Sequence, residues 1–152
     1  MTPRRGSVRR EVVIDRPPAE VWELIGAADR LFEWFPGIVS SPVEGSVRTI
    51  TTGAGLPLPE QILTNDPLLR RFQYRITSPI VTEHCSTIDV HRLGDAESLV
   101  VYSVDAEPST LALIIGGAAG NALLELKRLL EGSSPAASDG APAGDAPHEG
   151  AR

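Results

Sequence analysis

In the first forty residues, hydrophobic positions recur first at the spacing of a strand and then at the spacing of a helix. This predicts one strand followed by two short helices. Residues 12–15 (VVID) alternate along a β-branched run that favours an extended chain. Pro17-Pro18 then removes two N–H donors, so it ends the strand and suits a first helical turn. Apolar residues recur at helical spacing over 18–25, and again from about 28 to 35 before Pro36-Gly37.

From residue 38 onward, hydrophobic positions recur at the spacing of strands, and turn residues separate the runs. This predicts a series of consecutive antiparallel strands. The clearest run alternates Phe72, Tyr74 and Ile76 with polar residues, as in a sheet with one buried and one wet face. Residues 53–59 are rich in Gly and Pro and predict a mobile loop. The six predicted strands are 38–43, 47–52, 60–65, 69–77, 81–93 and 98–106.

The helical period returns at 108–131, and Gly132 follows where a C-cap glycine is expected. This longest helix is apolar or small on nearly every side in its first half and amphipathic in its second. Residues 133–152 have no periodicity and a Pro/Ala/Gly/Ser/Asp composition, which predicts a disordered tail. With 1–6 as a flexible arm, the expected folded domain is 7–132.

Composition narrows the class of protein. A chain of 152 residues, 41% hydrophobic and 22% charged, is expected to form one globular domain. The net charge of -6 argues against nucleic acid or an anionic membrane as the main partner. Arg4, Arg5, Arg9 and Arg10 form either a small basic patch or a solvated arm and strand edge. Cys85 stands alone, which excludes an intramolecular disulfide and a thiol zinc cluster.

The chain shows no sign of export or membrane insertion. No apolar stretch follows the basic N-terminus, so a secretory signal is not supported and a cytoplasmic location is expected. The longest apolar run, 111–119, is shorter than the roughly 20 residues that span a bilayer, so no stable membrane insertion is expected.

An antiparallel sheet with one apolar face needs a cover, and the long C-terminal helix is the only element of sufficient length. The motifs VVIDRPPAEVWELI, LFEWFPG, SVRTIT, FQYRIT and ALLELKRLLEG, in this order, resemble the START-like helix-grip superfamily (SRPBCC), in particular its polyketide cyclase/dehydrase branch. The resemblance covers about 7–132. It implies an α+β, Bet v 1-like fold with a seven-stranded antiparallel sheet curved around the C-terminal helix and two short helices after the first strand.

The resemblance also implies an apolar cavity between sheet and helix that holds a hydrophobic small molecule, such as a lipid, a sterol, a quinone, a hormone or an aromatic polyketide. If the apolar residues at 72, 74 and 76 point inward, every second residue of the two following strands is expected to share that inward face. The inward set is then Phe72, Tyr74, Ile76, His84, Ser86, Ile88, Val90, Val100, Tyr102, Val104 and Ala106. Its polar members, among aliphatic walls, are typical of a small-molecule site.

His84 is the candidate proton carrier. Aldol cyclisation and loss of water require proton removal beside a carbonyl and proton donation to a leaving hydroxyl, and imidazole can do both near neutral pH. Tyr74 or Tyr102 can supply the accompanying hydrogen bond, which makes these three residues the catalytic candidates. The alternative is that His84 is a hydrogen-bonded polar residue at the wall of the pocket.

Glu60 begins the third strand of the run, where the family often has a Glu. If it is buried, its charged form is disfavoured, and it becomes a base or a ligand anchor. If the register slips by one residue, it points to solvent at the rim.

Two further features each have two interpretations, and Trp22 has one. Trp34 and Phe35 lie at the family position of the cavity mouth and form either a lid or core packing for the two short helices. Gly117, with Gly116 and Gly120, either leaves cavity volume or allows the helix to approach the sheet closely. Trp22, at helical spacing with its apolar neighbours, is expected in the core.

Other chemistries are disfavoured. His91 falls on the opposite strand face from His84, and His148 lies in the tail, so no metal set forms. The sequence contains no phosphate-binding glycine loop in the right context and no Gly-x-Ser-x-Gly elbow, so no cofactor is expected. The leading hypothesis is a cyclase/dehydrase-like protein that binds a hydrophobic or aromatic molecule. The alternatives are a noncatalytic carrier or sensor and an interaction module, with oligomeric state and ligand identity open.

Overall fold

The computed structural model describes residues 4–132, so the disordered tail predicted for 133–152 lies outside the described residues. The strands are β1 Gly6–Ile14, β2 Ile38–Ser40, β3 Val43–Glu44, β4 Val47–Thr52, β5 Pro57–Asp66, β6 Arg71–Ile76, β7 Glu83–Gly94 and β8 Glu97–Glu107. The helices are α1 Pro18–Ile25, a 3-10 helix Ala28–Glu33 and α2 Ser109–Gly132.

All strands join one antiparallel sheet in the order β1-β8-β7-β6-β5-β4-β2, and the two-residue strand β3 pairs with β4. The path of seven strands, the two short helices after β1 and the long C-terminal helix confirm the predicted α+β helix-grip fold. The helix α2 packs mainly on β1 and β8, at one side of the sheet.

Two predicted strand boundaries differ from those in the structure. The predicted strand 38–43 is divided into β2 and β3, because the Ser41 hydroxyl turns to the 3-10 helix, donating to the Asp29 carbonyl and accepting from the Phe32 N–H. Pro42 follows and offers no N–H to a ladder. The predicted loop 53–59 is shorter than expected, since Pro57 already pairs with Thr51 of β4.

The first strand begins earlier than predicted. Gly6, assigned to the flexible segment 1–6, begins β1 and pairs with Ala106. It lies so close to α2 that an added Cβ would stand 2.7 Å from the Cβ of Ala112. Since atoms cannot approach so closely without strain, a residue with no Cβ belongs at this position.

The helix α2 covers the core with its small and aliphatic face. An added Cβ at Gly116 would lie 2.6 Å from Cγ1 of Val8, so this glycine serves close helix-to-sheet packing. Trp22 is half-buried and packs against the core. Among the described helices, α2 is long and apolar enough to cross a membrane, a property that core helices of soluble proteins share.

Candidate functional site

A cavity of about 330 Å³ lies between α2, the 3-10 helix and strands β4 to β6. Because α2 rests on β1 and β8, the inner face of the sheet on the β4 side is left partly uncovered. The cavity is lined by Leu31, Phe35, Pro36, Gly37, Ile38, Ile50, Thr52, Leu58, Glu60, Tyr74, Ile76, Ile114, Ile115 and Ala118.

The cavity has a buried floor and an exposed mouth. Of its lining residues, Leu31, Ile50, Glu60 and Tyr74 are buried and form the floor. Pro36, Gly37 and Ile114 are exposed and mark the mouth. The walls are aliphatic and aromatic. The lining has two ionisable groups, the Glu60 carboxyl and the Tyr74 phenol, and both lie at the floor.

Glu60 belongs to a buried ion pair with Arg48. The two residues are opposite one another on β4 and β5, and Nε of Arg48 donates to Oε1 of Glu60 at 3.0 Å. Their side chains are only 2% and 3% exposed. Burial raises the pKa of Glu60, and the positive charge and hydrogen bond of Arg48 only partly offset this.

The Arg48 guanidinium is held by more than the carboxylate. Nη1 donates to the Ala28 carbonyl at 3.2 Å, which ties β4 to the start of the 3-10 helix. The guanidinium carbon lies 5.2 Å from the ring centre of Phe72 and 4.9 Å from that of Tyr74, within cation–π range. Nη2 is buried and has no hydrogen-bond partner among the described residues.

The hydroxyls of Tyr74 and Tyr102 hydrogen-bond to each other in the core beside the floor. Burial, with the negative charge of Glu60 as the next cause, raises the pKa of Tyr74 to about 12. Burial and the neighbouring Tyr74 likewise raise the pKa of Tyr102 well above its usual value. Both phenols are therefore neutral at physiological pH and act as hydrogen-bonding groups.

His84 is fully engaged by its neighbours. The Ile76 N–H donates to Nδ1 at 2.9 Å, and Nε2 lies 2.8 Å from Oγ of Ser86. Because Nδ1 accepts a hydrogen bond, the neutral ring carries its proton on Nε2. Burial lowers the pKa of His84 to about 4. This geometry favours a buried, hydrogen-bonded residue over a free proton carrier.

The structure brings some of the predicted site residues into the cavity and leaves others outside it. Phe35, Glu60, Tyr74 and Ile76 are lining residues. The other candidates are Trp34, Phe72, His84, Ser86, Val100 and Tyr102, which are buried outside the lining, and Gly117, which is half-buried on α2 outside it. Trp34 belongs to the hydrophobic core, whereas Phe35 next to it lies at the cavity wall.

Sequence reasoning missed Arg48, and it also missed the lining residues of α2. The signal for Arg48 was present, because it shares its strand face with Ile50, and an inward Ile50 implies an inward Arg48. Leu58 was missed because it lies in the segment interpreted as a loop. Ile115 and Ala118 were missed because the first half of α2 is apolar on every side and its period does not select a face.

No group of three or more His, Cys, Asp or Glu residues within 4–132 is placed to hold a metal ion.

Comparison with known proteins agrees with the architecture. The family model described as "Polyketide cyclase / dehydrase and lipid transport" matches residues 5–133. The protein XoxI from Bacillus cereus is 26% identical, with a TM-score of 0.77 over 83% of this chain and 96% of its own. The sequence has no match among proteins of curated function.

Two enzymes of known structure are similar in fold. The Zhui aromatase/cyclase from Streptomyces sp. R1128 is 18% identical, with a TM-score of 0.74 over 89% of this chain and 99% of its own. Norcoclaurine synthase from Thalictrum flavum, solved with dopamine and hydroxybenzaldehyde, is 15% identical, with a TM-score of 0.69 over 88% of this chain and 91% of its own.

Proposed function

Since the chain belongs to the polyketide cyclase/dehydrase and lipid transport family, we propose that it binds a compact hydrophobic or aromatic molecule in the cavity between its sheet and α2. The observation that carries the proposal is the cavity of about 330 Å³, which has apolar walls and two polar side chains, Glu60 and Tyr74, at its floor. Small-molecule sites commonly combine apolar walls with a few placed polar groups.

The size and chemistry of the cavity define a class of ligand. Its volume lies near the lower end of the roughly 300–1,000 Å³ typical of ligand sites, which fits a body of one or two rings. At the floor, the Glu60 carboxyl accepts hydrogen bonds when ionised. The favoured ligand therefore has an apolar body and one hydroxyl or similar donor at its inner end.

The state of the buried groups supports a noncatalytic carrier or sensor. His84 has both ring nitrogens engaged and lies outside the cavity lining, and the two tyrosines are neutral phenols. Glu60 remains as an acidic group of the floor whose pKa is raised by burial, and Arg48 already holds one of its oxygens. A single held carboxylate suits ligand anchoring better than the paired proton transfers of cyclisation and dehydration.

Titration calorimetry with 2-naphthol, an apolar two-ring probe with one hydroxyl, tests binding. Ala118 lines the cavity, so Ala118→Phe should fill it and weaken binding about tenfold or more. The matched control is Asn121→Phe, one turn away on an exposed face of α2, which should bind the probe like the wild type. Equal affinities in all three proteins, or no binding to the wild type, would contradict the proposal.

Catalysis is tested separately with a short linear poly-β-ketone. A carrier should leave the product distribution, measured by liquid chromatography and mass spectrometry, the same as in buffer. Glu60→Gln keeps the shape of the side chain and removes its ionisable group. A product that forms with the wild type and is lost in Glu60→Gln would show that the protein is an enzyme and overturn the noncatalytic assignment.

A further inference from the structure

Four segments of this chain contain no Asp, Glu, Lys, Arg or His, although 22% of all residues are charged. They are 34–43, 49–59, 76–82 and 108–124. Together they supply most of the cavity lining, from Phe35 on the first segment to Ala118 on the last. An absence of charge on four separate segments is informative because they are brought together in space.

The four segments meet at one end of the sheet, around the cavity mouth. The Gly53 N–H donates to the Gly37 carbonyl at 2.9 Å, which joins the first two segments. The Thr77 N–H donates to the Pro59 carbonyl at 3.3 Å, which joins the second and third. The last segment follows β8, whose final residue Glu107 pairs with Glu83 at the start of β7.

This end of the molecule exposes large apolar side chains. We call the set Val39, Leu56, Ile80, Leu113 and Ile114 the apolar rim; each of its side chains is 60–69% exposed. Val39 follows the lining residue Ile38, and Ile114 is itself a lining residue. Through Ile114, the rim therefore adjoins the apolar wall of the cavity.

Charged residues border this end without interrupting the four segments: Glu107 lies opposite Glu83 at the end of β8, and Glu33 and Glu125 lie beside the mouth residues Phe35 to Ile38. Arg5 and Glu83 form an ion pair with a 3.4 Å separation at the side of β1 and β7. The opposite end of the sheet also exposes Leu68 and Leu69, but there they lie near the charged residues Asp66, Arg70, Arg92 and Asp95. The cavity end is thus distinguished by the absence of charge from the segments that carry its exposed apolar side chains.

We infer that the apolar rim docks reversibly on the surface of an electrically neutral lipid bilayer, so that the ligand passes between membrane and cavity without crossing water. This inference rests on the proposed function, because it names where the carried molecule is collected or delivered. Peripheral docking buries apolar side chains in the boundary between head groups and acyl chains, where a charge would be costly.

The chemistry of the rim favours lipid over other occupants. A protein partner usually forms about one hydrogen bond per 100–200 Å² of interface, and side chains of the rim offer none. The net charge of -6 disfavours an anionic membrane, whose surface attracts basic segments. A neutral bilayer needs only apolar area without charge, which the rim provides.

Flotation of the full chain with phosphatidylcholine vesicles tests this inference. The wild type should float with the vesicles at low and high salt alike. The double variant Leu56→Asp/Leu113→Asp should lose binding about tenfold or more, because it places two charges in the rim. The matched control, Leu68→Asp/Leu69→Asp, changes two exposed leucines at the opposite end of the sheet and should float like the wild type.

Several outcomes would overturn the inference. These are no flotation of the wild type, equal loss in both double variants, or binding that requires anionic lipid and disappears at high salt. Self-association that the rim variant abolishes, without flotation, would identify a second copy of the chain as the occupant instead.

The proposed function can fail independently of membrane docking. None of the four substituted leucines lines the cavity, so both double variants should bind 2-naphthol in solution with wild-type affinity. Flotation without naphthol binding would refute the cavity as the ligand site and leave membrane docking standing. Naphthol binding without flotation would refute docking alone.

Discussion

His84 and Glu60 are both buried on the inner face of the sheet, yet their neighbours give them different roles. Burial disfavours the charged form of His84 and lowers its pKa, and both of its ring nitrogens have partners within its own part of the sheet. Glu60 has a cationic partner but faces the cavity, and burial still raises its pKa. Each residue's role follows from which partners can satisfy it and not from its type.

The depressed pKa of His84 makes stability depend on pH. In the unfolded state His84 takes up a proton near its ordinary pKa of 6.5, whereas in the folded state its pKa is about 4. The free energy of unfolding should therefore fall as the pH falls between these values. His84→Asn should reduce this fall in the free energy of unfolding by about 2 kcal/mol, because Asn does not titrate. Its Oδ1 can still accept a hydrogen bond from the Ile76 N–H.

The control for this prediction is His91→Asn, on the exposed face of the same strand. Urea unfolding at several values between pH 7 and 4.5 measures both variants. Glu60 and the surface carboxylates contribute equally to the pH dependence of both variants, so their contributions cancel when the two are compared. If the pH slope of His84→Asn matches that of His91→Asn, the buried imidazole is not the cause.

The helix α2 meets β1 so closely that adjacent glycines on it have opposite roles. Gly116 faces Val8, where there is no space for a Cβ. A Cβ on Gly117 would meet no atom within 4 Å outside the helix. Within one element, then, the first glycine is required by packing and the second only weakens the helix.

The same substitution at these two glycines should change stability in opposite directions. Gly116→Ala should lower the free energy of unfolding by about 1–3 kcal/mol because it overpacks the contact with Val8. Gly117→Ala should raise it by about 0.5–1 kcal/mol through higher helix propensity. Chemical denaturation measures both, and destabilisation of similar size at the two positions would refute the close approach at β1.

The molecule as a whole has one hydrophobic core that joins the short helices, the sheet and α2. Trp34 and Leu31 of the helical segment, residues 18–34, belong to that core. Arg48 links β4 to the Ala28 carbonyl of the same segment. Both tryptophans, Trp22 and Trp34, lie in this segment. They therefore report on whether it unfolds with the sheet.

Tryptophan fluorescence and far-ultraviolet circular dichroism should give coincident urea unfolding curves. The reason is that a shared core makes the short helices and the sheet one cooperative unit. A fluorescence transition at lower urea than the circular dichroism transition would show that residues 18–34 unfold on their own.

The sequence by itself determined the order of the elements, the family and the inner face of the strands. Hydrophobic period and proline positions are local properties, so they located α1, the long helix and most strands. The same local rules were wrong where Ser41 turns back to the 3-10 helix and where Pro57 already pairs with Thr51.

Only the tertiary structure decided which inward residues line a cavity and which are packed core. Strand parity gives the face of a side chain but not what covers it. Because α2 lies over β1 and β8, Glu60 and Tyr74 border open volume, while Tyr102 is buried in the packed core. The pairing of Arg48 with Glu60 likewise depended on the register of two strands, a long-range contact that no local pattern encodes.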